Sequence, residues 1–156
     1  MTPAIIAVRK AGIAHDVLEY THDPAAVSYG LEAAETLGLN ADQVFKTLVT
    51  DAEGVGLVCA LVSVLHTLDL KALADAVGAR KARMADVAAA ERATGYVAGG
   101  ISPLGQRKTL VTVLDASALQ FEKIYVSAGR RGLELALAPM DLLKLAGART
   151  GKIARG

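Results

Sequence analysis

The run Val44-Phe45-Lys46-Thr47-Leu48-Val49-Thr50 sets a single ammonium inside a β-rich stretch. With period-two alternation, Lys46 shares a face with Val44 and Leu48. Two accounts of such a lysine stand side by side. It is a charge that keeps an edge strand from pairing with another chain, or an ammonium at the rim of an apolar pocket, donating to a carbonyl or phosphate oxygen of a ligand. Two glycine-rich stretches raise the same choice. TGYVAGGISPLG at 94–105 holds four glycines and a proline, and SAGRRG at 127–132 holds two glycines. Glycine opens positive φ for ordinary turns. It also lets backbone N–H groups close on a ligand as an oxyanion or phosphate cradle. Arg107-Lys108 follow the first stretch and Arg130-Arg131 lie within the second. They read either as solvated surface charge or as contacts to a phosphate backbone.

The usual signatures of other chemistries are missing. There is no GxxxxGK[ST] phosphate loop, no GxGxxG after a strand, no HExxH and no CxxC pair. Nucleotide hydrolysis, dinucleotide binding and zinc chemistry therefore lose their sequence support, and no metal or cofactor is expected. His15, His22 and His66 are scattered, and Cys59 lies in an apolar run, where it reads as a small buried hydrophobe. No protein nucleophile stands out.

These residues must be held by elements that the pattern supplies. Residues 3–12 read as a helix, with Pro3 near its start and Gly12 at its stop, and 15–20 alternate as a strand. A helix is expected over 30–38, with Asn40 or Asp42 capping a short turn after it. Strands over 44–50 and 55–63 bracket a hairpin turn at Asp51–Gly54. A helix follows over 69–78, and another over 87–93 capped by Asp86. Strands are expected at 109–114, 123–127 and 133–138, with a turn over 128–132, and a last helix begins at Pro139. Six or seven short strands and four or five helices predict one compact α/β domain over 1–156. Its mixed, mostly antiparallel sheet is curved and flanked by helices.

Size and charge bound the function. The chain has 156 residues, enough for a single core. No apolar run reaches the ~18 residues of a membrane span. The N-terminus lacks a secretory pattern, and the lone cysteine fits the cytoplasm as default compartment. Seventeen Lys and Arg against sixteen Asp and Glu leave a formal charge of +1, unlike an autonomous duplex-DNA binder. A nucleic-acid partner would have to be gripped locally or with help.

Four stretches in order, EYTHDP (19–24), LGLNADQVFKTLV (37–49), TGYVAGGISPLGQRK (94–108) and IYVSAGRRGLELAL (124–137), resemble the YbaK/EbsC family of Cys-tRNA deacylases. The resemblance runs from residue 1 to about 150. It implies a curved mixed sheet flanked by helices, as in the editing domain of bacterial prolyl-tRNA synthetases. It also implies removal of cysteine mischarged onto tRNA(Pro), with the acceptor end of aminoacylated tRNA and prolyl-tRNA synthetase as partners, and neither DNA nor a membrane. Position by position, it places the essential lysine at Lys46 and pocket aromatics at Tyr20 and Tyr29, where Phe is more usual. The site glycine falls at Gly99, the second loop's serine and glycine at Ser127 and Gly129, and an acidic group, often Asp, at Glu134. In this family the substrate's own thiol attacks its ester and leaves as a thiolactone. On that scheme the N–H groups of Gly99 and Gly100 would hold the oxyanion, and Lys46 would orient the substrate. Two alternatives remain: an editing hydrolase for another misacylated tRNA such as Ala-tRNA(Pro), and a non-catalytic nucleotide- or aminoacyl-binding module.

Overall fold

A computed structural model describes residues 1–26 and 28–156. The chain begins with α1 (Pro3–Lys10), capped by the Thr2 hydroxyl, which accepts the Ile5 N–H. Gly12, at φ +68°, follows the helix end as the proline–glycine punctuation predicts. Then come β1 (His15–Glu19), α2 (Tyr29–Leu37), a short 3₁₀ turn (Ala41–Gln43), β2 (Phe45–Ala52), β3 (Gly56–Ser63) and β4 (Thr67–Leu68). These are followed by α3 (Leu70–Val77), β5 (Ala82–Met84), α4 (Val87–Thr94), β6 (Val111–Asp115), a second 3₁₀ turn (Ala116–Gln120) and β7 (Ile124–Arg130). The chain closes with β8 (Leu133–Leu137), α5 (Pro139–Ala146), β9 (Arg149–Gly151) and β10 (Ala154–Arg155).

The strands form a five-stranded sheet in the order β5-β2-β3-β6-β9, a three-stranded sheet β1-β8-β7 and a small β10-β4 pair. The mixed, mostly antiparallel character is as expected: among the described strand pairs, β3-β6 and β6-β9 run parallel and the others antiparallel. One curved sheet was expected, however, and the described residues form three. The two larger ones touch where Val44 bridges Tyr125. The short strands β4, β5, β9 and β10 span two or three residues, too few to show an alternation. Two local expectations also change. Asp86 precedes α4 but makes no side-chain cap hydrogen bond. Residues 128–132 are not all turn: β7 continues to Arg130 through a register shift between Ser127 and Arg130, and Gly129 carries it at φ +116°.

The main core lies between the two larger sheets and α1, α4 and α5, with Phe45, Leu61, Leu114, Ile124, Leu135 and Leu142 excluded from water. Burial of such side chains is worth ~1.5 to 3 kcal/mol each. A second cluster under α3 includes Val58, Val62, Leu73 and Ile153. A third gathers Ala34, Val44, Val64, Tyr125 and Ala136, and it fastens α2 to the junction of the sheets. Gly30 makes that junction close. A Cβ there would lie 2.2 Å from Val64 Cγ1, so only glycine lets the first turn of α2 come down on the end of β3. Among the described residues, no helix is long and apolar enough to cross a membrane.

Candidate functional site

The sheet junction leaves a gap. β2 is paired on one side by β3 along its whole length, but on the other side β5 reaches only Thr50–Ala52 and the Tyr125 bridge only Val44. The uncovered stretch between them carries Lys46. It forms one wall of a cleft of about 330 Å³, near the lower end of the ~300 to 1,000 Å³ typical of ligand sites. Strands β7 and β8, the first turn of α2 and the glycine-rich loop supply the other walls.

Of the residues picked out in the sequence, Lys46, Tyr20, Tyr29, Gly99, Ser127, Glu134, Arg130 and Arg131 line this cleft. Their sequence numbers span more than a hundred positions, and the meeting of the two sheets brings them together. Lys46 lies opposite Val62 in register and is half-buried. The edge-strand account of this lysine fails in its simple form, because β2 is an interior strand whose edge is open only at the cleft. Desolvation lowers the Lys46 pKa, and no carboxylate among the described residues lies within ion-pair distance of it. Glu134, on β8, is 7 % exposed, and burial raises its carboxyl pKa to about 7. It too has no ion-pair partner among the described residues. Burial also raises the pKa of Tyr20, with the nearby Glu134 charge adding to it.

The glycine-rich loop is held at many points. Glu91 accepts the Ala98 N–H at 2.8 Å, and Gly100 N–H donates to Val97 O at 2.9 Å. The Tyr96 hydroxyl donates to Leu104 O at 2.6 Å, and Ser127 Oγ donates to Gly100 O at 3.1 Å. This network corrects the expected cradle. Gly100 is buried behind the cleft with its N–H committed, so of the three consecutive amides at 98–100 only that of Gly99 has no acceptor among the described residues. Gly100 is instead a point of close approach: a Cβ there would lie 2.7 Å from Arg130 Cα. Gly129 is likewise outside the cleft. Its N–H donates to Ser127 Oγ at 3.1 Å, and a Cβ would lie 2.9 Å from both Thr2 and Tyr96. Gly129 and Gly100 therefore shape the scaffold beneath Ser127, whose hydroxyl ties the two loops together.

Arg107 and Lys108 are exposed and lie away from the cleft, their backbone N–H groups closing the end of α4 on Thr94 O and Ala93 O. The sequence reading passed over Thr47, which also lines the cleft and whose Oγ1 is buried with no partner among the described residues. Alternation put Thr47 on the core face with Phe45 and Val49, so nothing in the pattern marked it. An unsatisfied buried hydroxyl costs ~1 to 3 kcal/mol. Cys59 is fully buried in β3 and its thiol is pushed up to about 12, so it is neither ionised nor reachable as a nucleophile. The cleft thus offers an ammonium and a carboxyl poised near neutrality. It offers no serine or cysteine paired with a histidine among the described residues.

Fold and cleft define a single compact α/β domain with a ligand-sized cleft at the junction of its two larger sheets. The model of the aminoacyl-tRNA editing domain matches residues 23–145. A protein of Enterococcus faecalis assigned as the Cys-tRNA(Pro)/Cys-tRNA(Cys) deacylase EbsC is 42% identical over 120 residues, which are 77% of this chain and 73% of that protein. The chain belongs to the aminoacyl-tRNA editing domain family. A solved structure assigned as a trans-editing enzyme for prolyl-tRNA synthetase superposes with a TM-score of 0.81 at 27% identity, over 100% of this chain and 99% of that one. A hypothetical protein at 22% identity shares the fold with a TM-score of 0.87, over 99% of this chain and 100% of its own.

Proposed function

We propose that the protein is a deacylase that clears cysteine from Cys-tRNA(Pro), and that the substrate supplies the nucleophile. The observation that carries the mechanism is the pairing of a built cleft with the lack, among the described residues, of an activated protein nucleophile in it. A cysteinyl ester brings its own thiol, with a pKa near ~8.5 in an unperturbed cysteine, and holding it against the ester carbonyl makes the attack intramolecular. The thiolate sulfur forms a bond to the ester carbon, the C–O bond to the ribose breaks, and the ribose oxygen takes a proton from solvent. The products are a free tRNA 3′ end and a cyclic thiolactone. The Gly99 N–H is a backbone donor for the developing oxyanion, and the Lys46 ammonium supplies positive charge from the β2 wall. Ionised Glu134 holds the substrate's α-ammonium.

A formal charge of +1 gives the chain little general attraction for a polyanion, which supports a division of labour. Prolyl-tRNA synthetase selects the tRNA, and this domain reads its acylated 3′ end in the cytoplasm. Single-turnover deacylation of Cys-, Ser- and Ala-tRNA(Pro), with and without synthetase, tests the reading. Cys-tRNA(Pro) should be cleared fastest, by about tenfold or more over the serine ester. Equal rates for cysteine and serine would eliminate the substrate-thiol mechanism, and preference for alanine would make the protein a water-using hydrolase.

A further inference from the structure

A chain of contacts outside the cleft ends on one of its walls. Glu32, in the first turn of α2, accepts His22 Nδ1–H at 2.7 Å and the Asp23 N–H at 2.7 Å. Those two bonds, the histidine's first, lower the Glu32 pKa, so the carboxylate is ionised and fixes the His22 ring with its proton on Nδ1. His22 Nε2 faces Arg131 Nη1 at 3.4 Å. Arginine has only donors to offer, so the two attract in this tautomer alone. Arg131 Nη2 donates to the Tyr29 hydroxyl and reaches Ala98 O at 3.5 Å.

The guanidinium lies over the Tyr29 ring, 3.7 Å from its centroid. Its hydrogen bonds all run through its edges and set its plane. Gly99 leaves room for this stack: a Cβ there would lie 2.5 Å from Arg131 Nε and 2.8 Å from Tyr29 Cε2. Arg131 is nonetheless exposed, at the cleft wall. Nothing in core packing calls for three hydrogen bonds and a cation–π contact on an exposed arginine.

We infer that Glu32 and His22 are positioning residues that hold Arg131 over the Tyr29 ring, and that its exposed guanidinium stacks on the 3′-terminal base of the aminoacylated tRNA. This rests on the deacylase reading above and adds the subsite that receives the nucleobase beside the aminoacyl pocket. Flat guanidinium and aromatic surfaces are the usual platforms for unpaired bases, because every base has a π-face.

The test compares two non-hydrolysable ligands by calorimetry: 3′-cysteinylamino-3′-deoxyadenosine, and the same aminoacyl sugar with hydrogen in place of the base. Wild-type protein should bind the first about tenfold more tightly, the order one stacked base contributes. Arg131→Lys, which keeps the charge but not the flat face, and His22→Phe should lose most of that preference while binding the base-free ligand as before. With Cys-tRNA(Pro), both should raise KM several-fold more than they lower kcat. The double variant His22→Phe/Arg131→Lys should be no worse than Arg131→Lys alone. Equal wild-type affinity for the two ligands overturns the base subsite without needing any variant to fold, and it leaves the deacylase reading intact if Cys-tRNA(Pro) is still cleared. Additive losses in the double variant overturn the positioning role of His22.

Discussion

Glu134 gives the sharpest quantitative test of the cleft. Its carboxyl has an ordinary value of 4.5 and is raised to about 7 by burial, so folding is coupled to proton uptake. The folded state binds the proton more tightly, hence the site's contribution to stability is fully present below about pH 4.5 and is lost as pH rises through about 7. At ~1.4 kcal/mol per pH unit, that window amounts to about 3 kcal/mol, an upper figure because water reaches the cleft. Glu134→Gln keeps the shape and removes the charge. In urea unfolding it should match wild type near pH 4.5 and exceed it by about 1 to 3 kcal/mol at pH 8. The same substitution should weaken cysteinyl-substrate binding, since the carboxylate that meets the α-ammonium is gone. A residue that loses function while gaining stability is the mark of a charge kept for a ligand. A Glu134→Gln protein no more stable than wild type at pH 8, or more stable by the same margin at pH 4.5, would refute the buried-carboxyl argument.

Lys46→Ala should abolish clearance of Cys-tRNA(Pro) in a purified assay. Lys46→Met should be just as inactive yet at least as stable as wild type at pH 7, because burial disfavours the ammonium. Gly105 has φ +68°, and a Cβ there would lie 2.5 Å from Pro3 C. Gly105→Ala should therefore cost more than about 1 kcal/mol in chemical denaturation by displacing α1, with little change in KM. Leu114→Ala, at a fully buried position, should cost ~2 to 5 kcal/mol by the same measurement. Gly99→Ala should raise KM for Cys-tRNA(Pro) several-fold, because the methyl would displace Arg131 and Tyr29.

The sequence by itself determined which residue types were present and what lay on either side of each. That was enough for the helix starts at Pro3 and Pro139, for the β2–β3 hairpin and for the face that Lys46 shares with Val44 and Leu48, because these depend on short-range sterics and on a two-residue period. It also carried the family, through four motifs in order. Tertiary structure decided the rest. Whether the Lys46 edge is open depends on how far β5 reaches along β2, and a three-residue strand leaves no periodic trace. Gly99 and Gly100 are neighbours of one residue type, yet the N–H of one has no acceptor among the described residues while that of the other closes a turn onto Val97. The His22–Arg131 contact joins positions 109 residues apart. Local sequence sets φ, ψ and side-chain alternation, whereas an acceptor, a neighbour's Cβ or a desolvated carboxyl is supplied by segments that meet only when the sheets pack.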